Sequence, residues 1–270
     1  MLTDTQIKEI KELQSECEEL DGIQLKLNWD MLKSGGDEHL LHYEDGVLAA
    51  FLGIYGFGSK AELCGMVKPS FRRKGIFTRM LNQALAHCKD TYREILLNAP
   101  AESRAAKELL KKMPCTYSIS EYQMKWAETP LEEDNLVSLR PSEPEDLTLE
   151  TQLDVLCFGF LEHEAGPYNR SLKREENQDF IIIEYKGKSV GKLRVSHSSG
   201  EAWIYGFAVL PDYQGKGIGR DTLKKIVLKE TGAGFPVFLE VEAENEHALR
   251  LYESCGFKAF HVQDYYQVQF

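Results

Sequence analysis

The sequence predicts an α/β protein of two tandem domains, each a mixed, mostly antiparallel sheet flanked by helices. Three observations carry this. "PDYQGKGIGR" (211–220) joins a strand pattern to a helix pattern, and an altered copy, "PSFRRKGIFT", stands at 69–78. A shift of 142 residues lays Gly75 on Gly217, Val67 on Val209, Pro69 on Pro211, Leu81 on Leu223, Ile95 on Val237 and Ala106 on Ala248, with no gap from Val67 to Pro114. A sustained shift of this kind means two copies of one folding unit. Between the copies, "AETPLEEDN" (127–135) is acidic and contains a proline, so it reads as an exposed linker. The expected domains are 1–127 and 136–270, with 128–135 as the linker.

Each element follows from local pattern. Ile7, Ile10, Leu13, Cys17 and Leu20 recur at helical spacing and predict an amphipathic first helix. In the second half, "LVSLRP" (136–141) alternates as a strand, and a helix follows Ser142 through 158. "DFIIIEYKGKSVGKLRVSH" (179–197) is two strands around Gly187, and "EAWIYGFAVL" (201–210) is the third strand of that meander. Ile218, Asp221, Leu223, Ile226 and Val227 mark a helix over 217–230, and "PVFLEVEA" (236–243) is a strand. "NEHALRLYESC" (245–255) is a helix with Asn245 as N-cap and Gly256 just past its end, and the tail gives the last strands.

Composition narrows the function. A net charge of −11 argues against a general nucleic-acid binder, which needs a basic face. Six scattered cysteines without C-x-x-C point to reduced thiols in a cytoplasm rather than to a disulfide framework or a zinc ribbon. No apolar run is long enough to span a membrane, and the N-terminus has no signal-peptide core. Oligomeric state is not written in the sequence.

The glycine loop offers an anion site. The first amides of a helix have no intrahelical acceptor, the helix dipole is positive there, and glycine lets a phosphate approach the backbone. Gln214, Gly215, Lys216, Gly217, Ile218, Gly219 and Arg220 form that turn, and Lys224 and Lys225 follow one turn on. A Walker loop is absent. A Rossmann fingerprint starting at Gly215 and Gly217 would put its third glycine at Arg220, and the antiparallel meander upstream does not suit it.

"FAVLPDYQGKGIGR…NEHALRLYESCGF" resembles the GNAT superfamily of acetyl-CoA-dependent N-acetyltransferases. Gln214, Gly217 and Gly219 match its Q/R-x-x-G-x-G/A pattern; Ala208, Val209 and Pro211 match the lead-in; Asn245, Ala248, Leu251, Tyr252, Gly256 and Phe257 match the following helix. The likeness covers nearly all of 136–270 and the first copy more faintly, and the arrangement is similar to tandem members of that superfamily.

The resemblance implies attack of a primary amine on the thioester of acetyl-CoA, with no metal. It implies Tyr252 as the acid that protonates the departing thiolate; a phenol pKa of about 10 is close to that of a thiol. It implies Glu240 as base, since the L-E-V stretch is similar to the ribosomal-protein alanine acetyltransferase branch, with Tyr205 and Glu201 in reserve. Phe207, Ala208 and Val209 would line the pantetheine arm, and an amide near Val209 would meet the oxyanion. Asn245 belongs to the same cofactor set. The acceptor, a small-molecule or peptide amine, is set by 159–178 and by the contact between domains. The alternative is a non-catalytic acetyl-CoA sensor. "EHE" (162–164) reads as a solvated segment rather than a metal site, His247 as a surface residue, and "FRRK" (71–74) as a vestigial phosphate site. In the first copy Gly219, Asn245, Glu240 and Tyr252 become Phe77, Ser103, Asn98 and Leu110, so one cofactor per chain is expected, held by the second half.

Overall fold

The computed structural model describes residues 2–34, 39–132, 134–174, 176–198 and 200–270; Glu133 of the expected linker and Glu175 of the expected acceptor segment lie outside them. The first half runs α1 (Asp4–Asp21), α2 (Trp29–Ser34), β1 (Leu40–Glu44), β2 (Val47–Phe57), β3 (Lys60–Val67), α3 (Ile76–Cys88), β4 (Glu94–Pro100), α4 (Arg104–Leu110) and β5 (Cys115–Trp126). The second runs β6 (Ser138–Pro141), α5 (Leu147–Phe158), α6 (Glu162–Leu172), β7 (Gln178–Tyr185), β8 (Lys188–Ser198), β9 (Glu201–Val209), α7 (Ile218–Gly232), β10 (Val237–Glu242), α8 (Glu246–Ser254) and β11 (Phe257–Val268). The α/β class with mostly antiparallel sheets holds: β3–β4 and β9–β10 are the parallel pairs.

The chain forms two compact units, Met1–Ser120 with His261–Phe270, and Glu121–Phe260. In the first, β1, β2 and β3 form an antiparallel meander, β4 lies parallel to β3, and residues 263–267 of β11 run antiparallel to β4. In the second, β6 to β9 form the meander, β10 lies parallel to β9, and residues 121–125 of β5 run antiparallel to β10. The topology is the same, but each unit takes its last strand from the far half of the sequence. The tail is one long strand, not the several expected.

Helices cover both faces of each sheet, as strands with apolar residues on both faces require. In the first unit Ile10, Leu13 and Cys17 of α1 pack on Phe51 and Met66, while Ile76, Met80 and Leu81 of α3 pack on Leu52, Leu63 and Leu97 across the sheet. In the second, α7 buries Leu223, Ile226 and Val227 against Leu193, Ile204 and Leu239. Its α5 lies on β8 and β9 and is paired with α6.

Candidate active site

The site forms where β9 and β10 part. They pair only from Ala202–Val237 to Ile204–Leu239. Beyond Ile204 the β9 edge toward β10 carries no ladder. A register shift against β8 falls between Lys192 and Arg194, and Gly206 adopts φ +56°, so Phe207, Ala208 and Val209 emerge from a bulge. An unpaired edge of this kind can receive the amides of an extended ligand as an added strand would.

A 3₁₀ turn, Pro211–Tyr213, then leads to the loop. Gly215 and Gly217 take φ +72° and +82°, where only glycine is unstrained. Gly217 caps α7 without a side-chain bond, so the amides that begin the helix stay open, and Ile218 buries its side chain beneath them. Gln214 donates from Nε2 to the Val209 carbonyl at 2.9 Å, stapling the loop to the strand end; Cys157 Sγ lies 3.7 Å from the same oxygen. Lys216 bonds the Asp212 carbonyl and sits over Tyr213, and Arg220 reaches Ser254. Lys224 and Lys225 face the linker instead, pairing with Asp134 and Asn135.

The proton-transfer candidates lie on opposite faces of β10. Tyr252 on α8 is buried with Leu239 and Val241 of β10, 6.2 Å from the Phe257 ring, and burial pushes its phenol up to about 12. It therefore stays protonated at neutral pH, with its proton available to give. Glu240 alternates with Leu239 and Val241, which turns it to the other face of β10. There it accepts from Gln123 Nε2 at 3.0 Å. The two can act on one reacting centre only across the gap between β9 and β10. Of the reserves, Tyr205 stacks beneath Arg194, and Glu201 accepts from Trp203. Asn245 caps α8 by accepting from the Ala248 amide at 3.1 Å. Its Nδ2 end is not used by that cap. The 162–164 carboxylates and imidazole lie in the first turn of α6, and among the described residues no His, Cys, Asp or Glu group is arranged to hold a metal.

The first unit keeps this loop closely. Arg72 and Gln214 have φ/ψ of −65°/160° and −67°/161°. Arg73 adopts φ +65° where Gly215 stands in the other copy, and Gly75 takes +74°. Arg72 Nε bonds the Val67 carbonyl at 3.0 Å, as Gln214 bonds Val209, and Cys17 Sγ lies 3.4 Å from that oxygen, as Cys157 does from Val209. The Phe77 ring lies against Gly65 of β3. A Cβ built on Gly65 would lie 2.8 Å from the Phe77 ring, whereas a Cβ on Gly219 would lie 3.7 Å from the Phe207 ring. Gly65 and Phe207 are equivalent positions in the repeat. The aromatic ring has changed strand for helix and occupies the same part of the cleft.

Three features escape sequence reasoning. Asp221, fully buried, accepts the backbone N–H groups of Asp134, Leu136 and Val137 at 2.8–3.0 Å, pinning the linker. Its place in an apolar stripe was the available signal. Lys192, Asp154 and Asn169 form a buried cluster joining β8, α5 and α6, with Lys192 Nζ 2.6 Å from Asp154 and the ammonium pKa lowered by burial. Helix α6 has a polar sequence and Pro167 in its middle, which hide its period.

Comparison with known proteins identifies the family. The model of the Acetyltransferase (GNAT) family matches residues 6–113 and 146–257. A mycothiol acetyltransferase of Actinosynnema mirum is 27% identical over 281 residues, 93% of this chain and 92% of that protein. A [ribosomal protein bS18]-alanine N-acetyltransferase of Escherichia coli is 44% identical over 59 residues, 21% of this chain and 39% of that protein. The solved structure of a tandem GNAT protein from the clavulanic acid biosynthesis pathway superposes with a TM-score of 0.73 at 14% identity, covering 98% of this chain and 95% of that one.

Proposed function

The chain belongs to the Acetyltransferase (GNAT) family and is an N-acetyltransferase, and from that premise we propose that its 136–270 half binds acetyl-CoA and transfers the acetyl group to a primary amine by direct attack on the thioester. The observation that carries this is the open cleft between β9 and β10 above a helix whose first amides have no acceptor. The residues fit the cofactor. Amides from Gly215 to Arg220 suit the pyrophosphate, and the unpaired edge of Phe207, Ala208 and Val209 suits the amides of the pantetheine arm. Lys216 and Arg220 add charge at the mouth. The donor supplies an activated acyl carbon; the protein orients it and manages protons.

Glu240 takes a proton from the amine, directly or through water. The bond from Gln123 and the half-buried setting hold it in place. A backbone N–H near Val209 meets the oxyanion. Tyr252 gives its proton to the leaving thiolate: burial keeps the phenol protonated until that step, and also makes it a weaker acid than the free phenol that matches a thiol.

The test is thiol release from acetyl-CoA with a panel of amines, for the wild type and Tyr252→Phe. Loss of a general acid is expected to lower turnover roughly 10²–10⁴-fold with cofactor affinity retained. Equal turnover in the chemical step would remove Tyr252 from the mechanism. Cofactor binding with no thiol release for any amine would replace the enzyme with a sensor.

A further inference from the structure

The sheet face that carries Glu240 also carries an ordered group of aromatic rings. Leu193, Ile204 and Leu239 pack toward α7, so alternation turns Arg194, Trp203, Tyr205, Phe238 and Glu240 to the other face. Strand register sets these in two adjacent rows. In one, Ser196 pairs with Trp203, Trp203 with Phe238, and Phe238 with Lys125. In the next, Arg194 pairs with Tyr205 and Glu240 with Gln123. Tyr205 and Glu240 are the first same-face neighbours beyond the last rung between their strands, Ile204–Leu239.

The rings are stacked side by side. The Trp203 centroid lies 4.9 Å from that of Phe238 with planes 16° apart, and 6.3 Å from that of Tyr205 with planes 13° apart. The Arg194 guanidinium lies over Tyr205 at 4.9 Å and the Lys125 ammonium over Phe238 at 5.3 Å. Ring faces are thus taken up by one another and by cations. Trp203 and Tyr205 are still only half-buried, so what they turn outward is their edges. Ring edges carry the positive side of the aromatic quadrupole and prefer the negative face of another ring. Phe260 already meets Phe238 in this manner, at 5.8 Å and 65°. The edges of Trp203 and Tyr205 continue the row to the side of Glu240.

Spacing then sets the shape of a ligand. Same-face neighbours lie about 5 Å apart across strands and about 7 Å apart along one. An amine at the Glu240 carboxylate and a ring on those edges are therefore joined by a short arm, on the order of two carbons. The end of β9 is bordered by apolar groups too. Leu156, Phe158 and Leu161 are exposed around Cys157, whose Sγ lies 3.7 Å from the Val209 carbonyl. An exposed apolar run of this kind suits an apolar ligand.

Resting on the acetyl-transfer reading above, we propose that the acceptor is an arylalkylamine, a primary amine two carbons from an aromatic ring. The ring sits across the edges of Trp203 and Tyr205, which determine specificity, and the nitrogen lies at Glu240. The C–N bond forms as the thioester C–S bond breaks. One proton passes from nitrogen to Glu240 and one from Tyr252 to sulfur, and the products are the N-acetylated arylalkylamine and free CoA.

The experiment has two readouts on the full chain. Thiol release from acetyl-CoA is measured with 2-phenylethylamine, 2-cyclohexylethylamine, spermidine and D-glucosamine, and calorimetry measures binding of the two ring amines in the presence of CoA. 2-Phenylethylamine is expected to have the highest kcat/KM and to bind roughly two- to tenfold more tightly than its saturated analogue, the worth of one aromatic pair. Trp203→Leu should erase that preference by raising KM, with kcat little changed and acetyl-CoA affinity retained. The wild-type ratio needs no variant, so poor folding of Trp203→Leu leaves the test standing. Equal values for the two ring amines, or a preference that survives in a folded Trp203→Leu, overturns the proposal. So does a higher kcat/KM for spermidine or D-glucosamine, since carboxylates or hydroxyl contacts rather than rings would then select the acceptor. Preferential binding of 2-phenylethylamine with no thiol release from any amine supports the ring site and removes the transfer reading instead.

Discussion

Gln214 and Arg72 do the same work with different chemistry. Each ties the loop to the carbonyl of the valine that ends the preceding strand, one through an amide and one through a guanidinium. Their spacing to the glycines was legible; the role was not, because a sequence does not say where a polar side chain points. Gln214→Leu should free the loop and raise the KM for acetyl-CoA roughly two- to tenfold, the worth of one hydrogen bond, with kcat little changed. A KM that does not move would mean that the loop keeps its shape unaided. Tyr252 gives a pH signature of its own. Burial raises its pKa from the ordinary 10 to about 12, so the folded state holds the proton more tightly than the unfolded chain does. That contribution to stability is complete below pH 10 and is lost as pH rises toward 12. Denaturant titrations of the wild type should therefore weaken more steeply over that window than those of Tyr252→Phe. Tyr252 and Glu240 were legible as candidates. Their placement on opposite faces of β10 follows from strand alternation once Tyr252 is known to pack with Leu239, and that packing was not in the sequence.

The exchange of a ring between strand and helix belongs to whole elements. Phe207 on β9 faces Gly219 on α7, and Phe77 on α3 faces Gly65 on β3. Gly219→Phe alone brings a ring against Phe207 and against Leu251, which would be 3.2 Å from the new Cβ, and should destabilise the second unit by about 1–3 kcal/mol. Phe207→Gly with Gly219→Phe should recover most of the lost Tm. A double variant no more stable than the single one would show that the two clefts are not equivalent. Position 77 alone does not reveal the exchange, because the matching Gly65 lies twelve residues upstream and on another element. Helices α1, α7 and α8 were readable because their apolar periods and caps agree. Helix α6 was not, since Pro167 and a run of polar residues carry a loop signature.

At the scale of the molecule, the repeat was legible and the strand exchange was not. A sequence shift tells which segments are alike. It does not tell which sheet edge a strand will join, because ladder bonds are made by backbone that every residue shares. The consequence for fragments is direct. A chain of residues 136–270 lacks residues 121–125, which pair with β10 in the second unit. Its own 261–270 would lack β4. Such a fragment should be insoluble or poorly folded, and a chain ending at 260 should lose cooperative unfolding of the first unit, seen by circular dichroism melting and proteolysis. A well-folded 136–270 fragment with a sharp melt would mean that the C-terminal strand can close its own half.

During synthesis on the ribosome, the same exchange imposes a waiting time. The segment up to Ser120 emerges early, yet the strand that covers its β4 edge begins at His261, roughly 140 residues later. At about 5–20 residues per second, this is an interval of roughly 7–30 s. Throughout it the nascent first half carries an open sheet edge and incomplete cover over Leu96 and Asn98, the kind of surface that pairs with other chains or with a chaperone. The order of events is thereby reversed from the order of the sequence: the second unit, whose strands are all made once Phe260 has left the exit tunnel, can close first, and the first unit is finished only when residues 261–270 follow.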